Sequence, residues 1–129
     1  MKLLLDTHTV LWAMTQPELL GRSAELPILD PANDVLVSAV VPWELSIKHR
    51  AGKLAAAAPV LADFPAVIAA LAATSLPVDH RHAILAGNLE WDHTDPFDRI
   101  LAAQAALEGA VLNSRDPVFD TLPGIRRLW

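Results

Sequence analysis

Three short apolar runs constrain this chain more than any other feature. Lys2–Asp6 (KLLLD), Val35–Ser38 (VLVS) and Ala110–Asn113 (AVLN) lack the apolar/polar alternation of a half-exposed strand, and each ends in a polar residue. A strand apolar on both sides is buried on both faces, which is the situation of a parallel sheet covered by helices. The segments between the runs carry helical patterns. Thr7–Met14 places Val10, Leu11 and Met14 on one side, and Pro42–Ala51 is followed by Gly52 as a stop. Pro96–Glu108 opens with Asp95 and Pro96 and closes at Gly109, the strongest start and stop signals in the chain. A short helix is expected over Glu18–Glu25, ending before Pro27. The Ala-rich stretch Leu54–Ala73 is expected to be helix divided by Pro59 and Pro65. Ser75–Val78 reads as a short strand, His80–Leu89 as a helix and Ile125–Trp129 as a last edge strand. Trp43 and Ile47, four apart, are expected on the core-facing stripe of their helix. This alternation predicts an α/β domain around a parallel sheet.

The 129 residues suit one compact domain spanning 1–129, and a hydrophobic content of 53% is sufficient for a real core. No apolar run approaches the length of a membrane span, and the N-terminus lacks the long apolar region of a signal peptide. Cysteine is absent, so neither a disulfide framework nor a thiolate metal site is expected, and the cytoplasm is the default compartment. The formal net charge of -5 is not that of a general nucleic-acid binder. Binding a polyanion then requires the acids to gather in a cation-holding pocket and the bases to cluster locally. Lys48, His49, Arg50 and Lys53 do cluster, Arg81 stands beside His82, Arg99 beside Asp98, and Arg115 beside Asp116.

In parallel α/β sheets ligands sit outside the carboxyl ends of the strands. Asp6 closes the first run, Glu44 lies early in the helix after the second, and Asp116 follows the run at Ala110–Asn113. Asp95 and Asp98 open the helix leading into that run. Each acid has an ordinary structural reading. Asp95, Asp6 and Asp116 suit helix or turn caps, and Glu44 suits an i,i+4 pair with Lys48. Gathered at one edge, four carboxylates would repel one another and raise their own pKa values. A hard divalent cation removes that cost, and Mg²⁺ or Mn²⁺ prefers such oxygen ligands. Water on such a cation has a lowered pKa, which supplies a nucleophile for phosphodiester cleavage. No Ser-His-Asp order and no P-loop stand out. His80 and His82 are two apart while His8, His49 and His93 are isolated, a poor basis for zinc.

Four blocks, KLLLDTHTVLW, VSAVVPWELSIKHRAGKL, HTDPFDRILAAQA and LNSRDPVF, resemble in order and spacing the motifs of PIN domains, specifically toxins of the VapC type. The resemblance runs from Lys2 to Trp129. It implies a three-layer α/β/α sandwich with a central parallel sheet. It also implies a Mg²⁺- or Mn²⁺-dependent endoribonuclease that cleaves structured RNA, such as tRNA or rRNA. A cognate antitoxin is implied as inhibitor, with a homodimer as the assembly and operator DNA bound only through the antitoxin complex. The family's catalytic and metal-holding acids fall on Asp6, Glu44, Asp98 and Asp116. Thr7, Asp95 and Ser114 fall on positions supporting the metal site, and Lys48, Arg99 and Arg115 are candidate RNA contacts. Two positions depart from the pattern: Pro42 precedes the Trp-Glu pair, and Asn113 replaces an apolar strand residue. The antitoxin is expected in an apolar groove formed by the helices after the first and second strands, with Trp12 and Trp43 as candidate lining. Other readings are a catalytically inactive binding module and a haloacid dehalogenase-like phosphatase. The latter wants a second Asp where this chain has His8.

Overall fold

A computed structural model describes residues 1–129. Five parallel strands form one sheet in the order β3-β2-β1-β4-β5: β1 (Lys2–Leu5), β2 (Asp34–Ser38), β3 (Thr74–Leu76), β4 (Val111–Asn113) and β5 (Arg127–Leu128). The central strand β1 is flanked on both sides, so Leu3, Leu4 and Leu5 are fully buried. Alternate residues serve opposite faces of the sheet. Leu3, Leu5, Val35, Val37 and Val111 pack in one core with Val10, Leu11, Leu45, Val60 and Val67. Leu4, Leu36 and Leu112 pack in the other with Leu101, Ala102, Ala105 and Phe119. The first core is covered by α1 (Thr7–Thr15), α2 (Arg22–Leu29), α3 (Val40–Arg50), α4 (Ala57–Ala62) and α5 (Phe64–Ala70). The second is covered by α7 (Pro96–Glu108), against which α6 (His80–Asn88) packs. The result is the expected three-layer α/β/α arrangement. No helix is long and apolar enough to cross a membrane.

Several local expectations are corrected. The segment Glu18–Glu25 divides into a 3₁₀ turn at Pro17–Leu19 and helix α2, which runs through Pro27. Proline there removes one helical hydrogen bond. The helix persists because Ala24 and Ile28 are buried and the Asn33 side chain donates to the Pro27 carbonyl at 2.9 Å. Helix α3 starts at Val40, which puts Pro42 in its first turn, where no backbone N–H has an intrahelical acceptor to lose. Pro59 is tolerated in the first turn of α4 in the same way, so the Ala-rich stretch breaks only at Asp63, whose carboxylate caps Ala66 ahead of α5.

The inward face of α3 is Val40, Val41, Glu44 and Leu45, not Trp43 and Ile47, which are 56% and 45% exposed. Turning Glu44 toward the sheet edge rotates Trp43 outward, where its ring meets Phe97 edge-on at 4.9 Å. Asn113 leaves β4 intact: its side-chain amide donates to the Ala24 carbonyl at 2.9 Å and so ties α2 to the sheet.

Candidate active site

From β1 the chain winds to β2 and β3 on one side, then returns to β4 on the other. The crevice beyond the carboxyl ends of β1 and β4 is therefore the switch point at which parallel α/β sheets place ligands. Asp6 stands at one lip, one residue past β1, and Ser114 and Asp116 follow β4 at the other. Glu44 arrives from α3 and Asp98 from the first turn of α7. Asp6, Glu44, Asp98 and Asp116 line one cavity of about 210 Å³, with Thr7, His8, Lys48, His93 and Asp95 completing the wall and no hydrophobic residue among them. Five carboxylates thus face a single lysine ammonium.

Each acid is held by a local device. Asp6 caps α1, accepting from the Thr9 N–H at 2.8 Å, and its second oxygen accepts from the Ser114 hydroxyl. The Asn113 carbonyl accepts from the Asp6 N–H at 3.1 Å and the Thr9 hydroxyl at 2.9 Å, locking α1 to β4. Burial pushes the Asp6 carboxyl above the usual range, against the opposing pull of Ser114 and Thr9. Glu44 is buried and accepts from the Thr7 hydroxyl and from the Lys48 ammonium. The Lys48 pair is the i,i+4 contact anticipated from the sequence, here brought into the cavity. Asp95 caps α7 through the N–H groups of Phe97 and Asp98 at 2.9 and 3.1 Å. Asp98 is pushed up to about 6, mainly by burial and further by Asp95 and Glu44, while its hydrogen bond with His93 at 2.6 Å opposes the rise. Asp116 is exposed at the rim and caps Val118 at 2.9 Å.

As placed, no three acidic or imidazole groups converge tightly enough to hold an ion among them. Like charges at low dielectric separate, and here Asp6, Glu44 and Asp98 each turn to a separate donor: Ser114, Lys48 and His93. The donor set nevertheless fits a hard divalent cation. Its oxygens are carboxylate and hydroxyl, its charge balance is negative, and two of its acids, Asp6 and Asp98, are raised in pKa.

Two residues depart from their expected roles. Arg99 donates to the carbonyls of Ala86, Leu89, Trp91 and His93 at 2.7 to 3.0 Å, so its guanidinium anchors the chain between α6 and α7 and is not free for RNA. His93, which looks isolated in the sequence, reaches Asp98. The only hint was its place in HTDPFD, two residues before the Asp95 cap. The sequence places the apolar groove between α1 and α3, but an apolar groove of about 340 Å³ runs instead between the end of α1 and α4–α5, lined by Met14, Val60 and Val67 among others and by no residue of α3. Neither Trp12 nor Trp43 is on it. Trp12 stands beside the acidic cavity, and Trp43 lines a separate apolar cleft with Val78 and Ile100.

Sheet and cavity define a class: parallel α/β domains with a carboxylate-lined site at the switch point. Residues 3–125 match the family described as PIN domain, and the chain belongs to it. PIN domains are in general metal-dependent nucleases. Among solved structures the fold is similar to DNA-bound VapBC from Salmonella typhimurium, at 23% identity and TM-score 0.72 over 98% of this chain and 96% of that one. It is similar to VapBC2 from Rickettsia felis bound to a promoter DNA fragment, at 16% identity and TM-score 0.67 over 98% and 97%. It is also similar to VapBC-5 from Mycobacterium tuberculosis, a member of the VapBC family of toxin-antitoxin systems, at 26% identity and TM-score 0.58 over 97% and 98%. No curated protein matches the chain.

Proposed function

We propose that the chain is a toxin endoribonuclease, working as one nuclease domain over its 129 residues and restrained by a cognate antitoxin. The observation that carries this reading is the meeting of Asp6, Glu44, Asp98 and Asp116, from four separate elements, in one cavity without apolar lining. These residues would hold Mg²⁺ or Mn²⁺, which when bound supplies Lewis-acid activation of water and of the phosphodiester. The protein's own part is preorganisation. Thr9 and Ser114 fix Asp6, Thr7 fixes Glu44, and His93 fixes Asp98 and favours its ionised form. Lys48 neutralises Glu44 until substrate and cation arrive, and its ammonium is then placed to meet a phosphate oxygen.

The similar solved structures are VapBC assemblies, two of them with DNA. They support an antitoxin as partner and operator DNA as a ligand of the complex. The groove between α1 and α4–α5 offers an apolar seat for an antitoxin segment, and a basic side chain from it would relieve the acidic cavity by charge-assisted hydrogen bonds. The exposed Trp43, Ile47 and Val78 supply apolar surface for a homodimer.

The deciding experiment uses purified chain freed of any partner. Structured RNA is incubated with Mn²⁺, with Mg²⁺ or with EDTA, and fragment ends are sequenced. Defined cuts with either cation and none in EDTA are expected. Intact RNA under all three conditions from a folded protein would overturn the reading.

A further inference from the structure

We propose that a pocket walled by Trp12, His8 and Arg115 receives the nucleotide next to the scissile phosphate, its base against the aromatic wall and its flanking phosphate on Arg115. The proposal rests on the nuclease reading and adds the substrate's seat. The pocket, about 310 Å³, opens beside the acidic cavity and shares Asp6, His8 and Asp116 with it. Whatever occupies it is therefore one step along the chain from a phosphate held by the acids. Its volume is at the lower end of the range of about 300–1,000 Å³ for small-ligand pockets. That suits a base better than a helix, and a protein segment has the larger apolar groove between α1 and α4–α5.

The wall is aromatic. The His8 ring lies 5.3 Å from the Trp12 ring, and Trp129 packs edge-on against the half-buried Trp12 indole at 5.8 Å. Aromatic faces take any base, since every base has a π-face. The Arg115 guanidinium lies 5.8 Å from the centre of the Trp12 ring. It is also the free cation of the three expected at RNA. Lys48 is paired with Glu44, and Arg99 is bonded to four carbonyls, whereas Arg115 is exposed and has no carboxylate or carbonyl partner. A chain of net charge -5 that cuts a polyanion needs such a cation beside its acids. Arg115 immediately precedes Asp116, so the turn after β4 fixes both.

The test compares wild type with Trp12→Ala, Trp12→Phe and Arg115→Gln. Binding of a labelled short single-stranded oligoribonucleotide is measured by anisotropy in EDTA, and cleavage kinetics are measured in Mn²⁺. Trp12→Ala should weaken binding about tenfold and raise KM more than it lowers kcat, with Trp12→Phe recovering most of the loss. Arg115→Gln, at an exposed side chain that lies over the Trp12 ring, should weaken binding and flatten its salt dependence. An abasic nucleotide beside the mapped cut should abolish the Trp12→Ala penalty. Wild-type binding and cleavage in all three variants, or an undiminished penalty on the abasic substrate, would overturn the subsite while leaving the nuclease reading intact. A loss confined to antitoxin binding would assign the wall to a protein partner and overturn it too. A wild type that neither binds nor cuts RNA would overturn both.

Discussion

His93 Nε2 lies 2.6 Å from Asp98 Oδ2, across the turn that starts α7. The imidazole is the one neighbour that lowers the pKa of a carboxyl otherwise raised by burial, Asp95 and Glu44. His93→Ala should therefore move the Asp98 pKa further above 6 and shift the acid limb of the cleavage profile to higher pH. At pH 7 the loss should be about tenfold or more, as for other residues that orient a metal ligand. A kcat/KM profile superimposable on wild type from pH 5 to 9 would show that His93 is a bystander.

Without a cation, Asp6 and Asp98 should make the fold less stable as pH rises. Both have folded pKa values above the unfolded one, and for Asp98, pushed up to about 6, the folded state holds the more protons between about pH 4 and 6. Stability falls wherever the folded state binds more protons, so the Asp98 contribution is full below about pH 4 and lost as pH passes 6, and the raised Asp6 acts in the same direction. Asp98→Asn should accordingly melt higher than wild type in EDTA, by a margin that widens from pH 4 to 7. Mn²⁺ should narrow the gap by stabilising wild type. A gap of constant size across that range would contradict the assignment.

Asp6→Asn should abolish cleavage and keep the fold. Asparagine is as good a helix cap as aspartate, so the bond from Thr9 N–H survives, while the buried charge is gone. The melting temperature in EDTA should be no lower than wild type. Cleavage at wild-type rates would remove Asp6 from the site.

Arg99→Ala should act through stability. Four carbonyls lose a charged donor, and the expected cost is about 3 kcal/mol or more. Urea denaturation measures it. A variant as stable as wild type but weak in RNA binding would return Arg99 to the substrate.

Trp43→Glu should lower the self-association of the chain with little effect on its stability, because the indole is 56% exposed. Light scattering at micromolar concentration should read a dimer for wild type and a monomer for the variant. Equal masses would move the interface elsewhere.

Much of this molecule is written locally. The runs KLLLD, VLVS and AVLN specify strands buried on both faces, and Asp95-Pro96 with Gly109 bounds α7 to the residue, because caps and breakers act on their own neighbours. The four acids are readable for the same reason, since Asp6 and Asp116 follow strands, Asp98 opens a helix and Glu44 lies early in the helix after β2, all on the sheet's carboxyl side. What only the tertiary structure decided is which side chains meet across the chain. Trp43 faces outward because the rotation of α3 follows the docking of Glu44, Val41 and Leu45 together, which no spacing of two residues reveals. Arg99 is a loop anchor because four carbonyls happen to converge on it, and Arg115 is free because none do. His93 meets Asp98 through a turn whose path depends on that same anchor. Sequence fixes element type through short-range backbone and solvation preferences. Partner choice among ionisable side chains depends on distances of a few ångströms, and those exist only once the layers are packed.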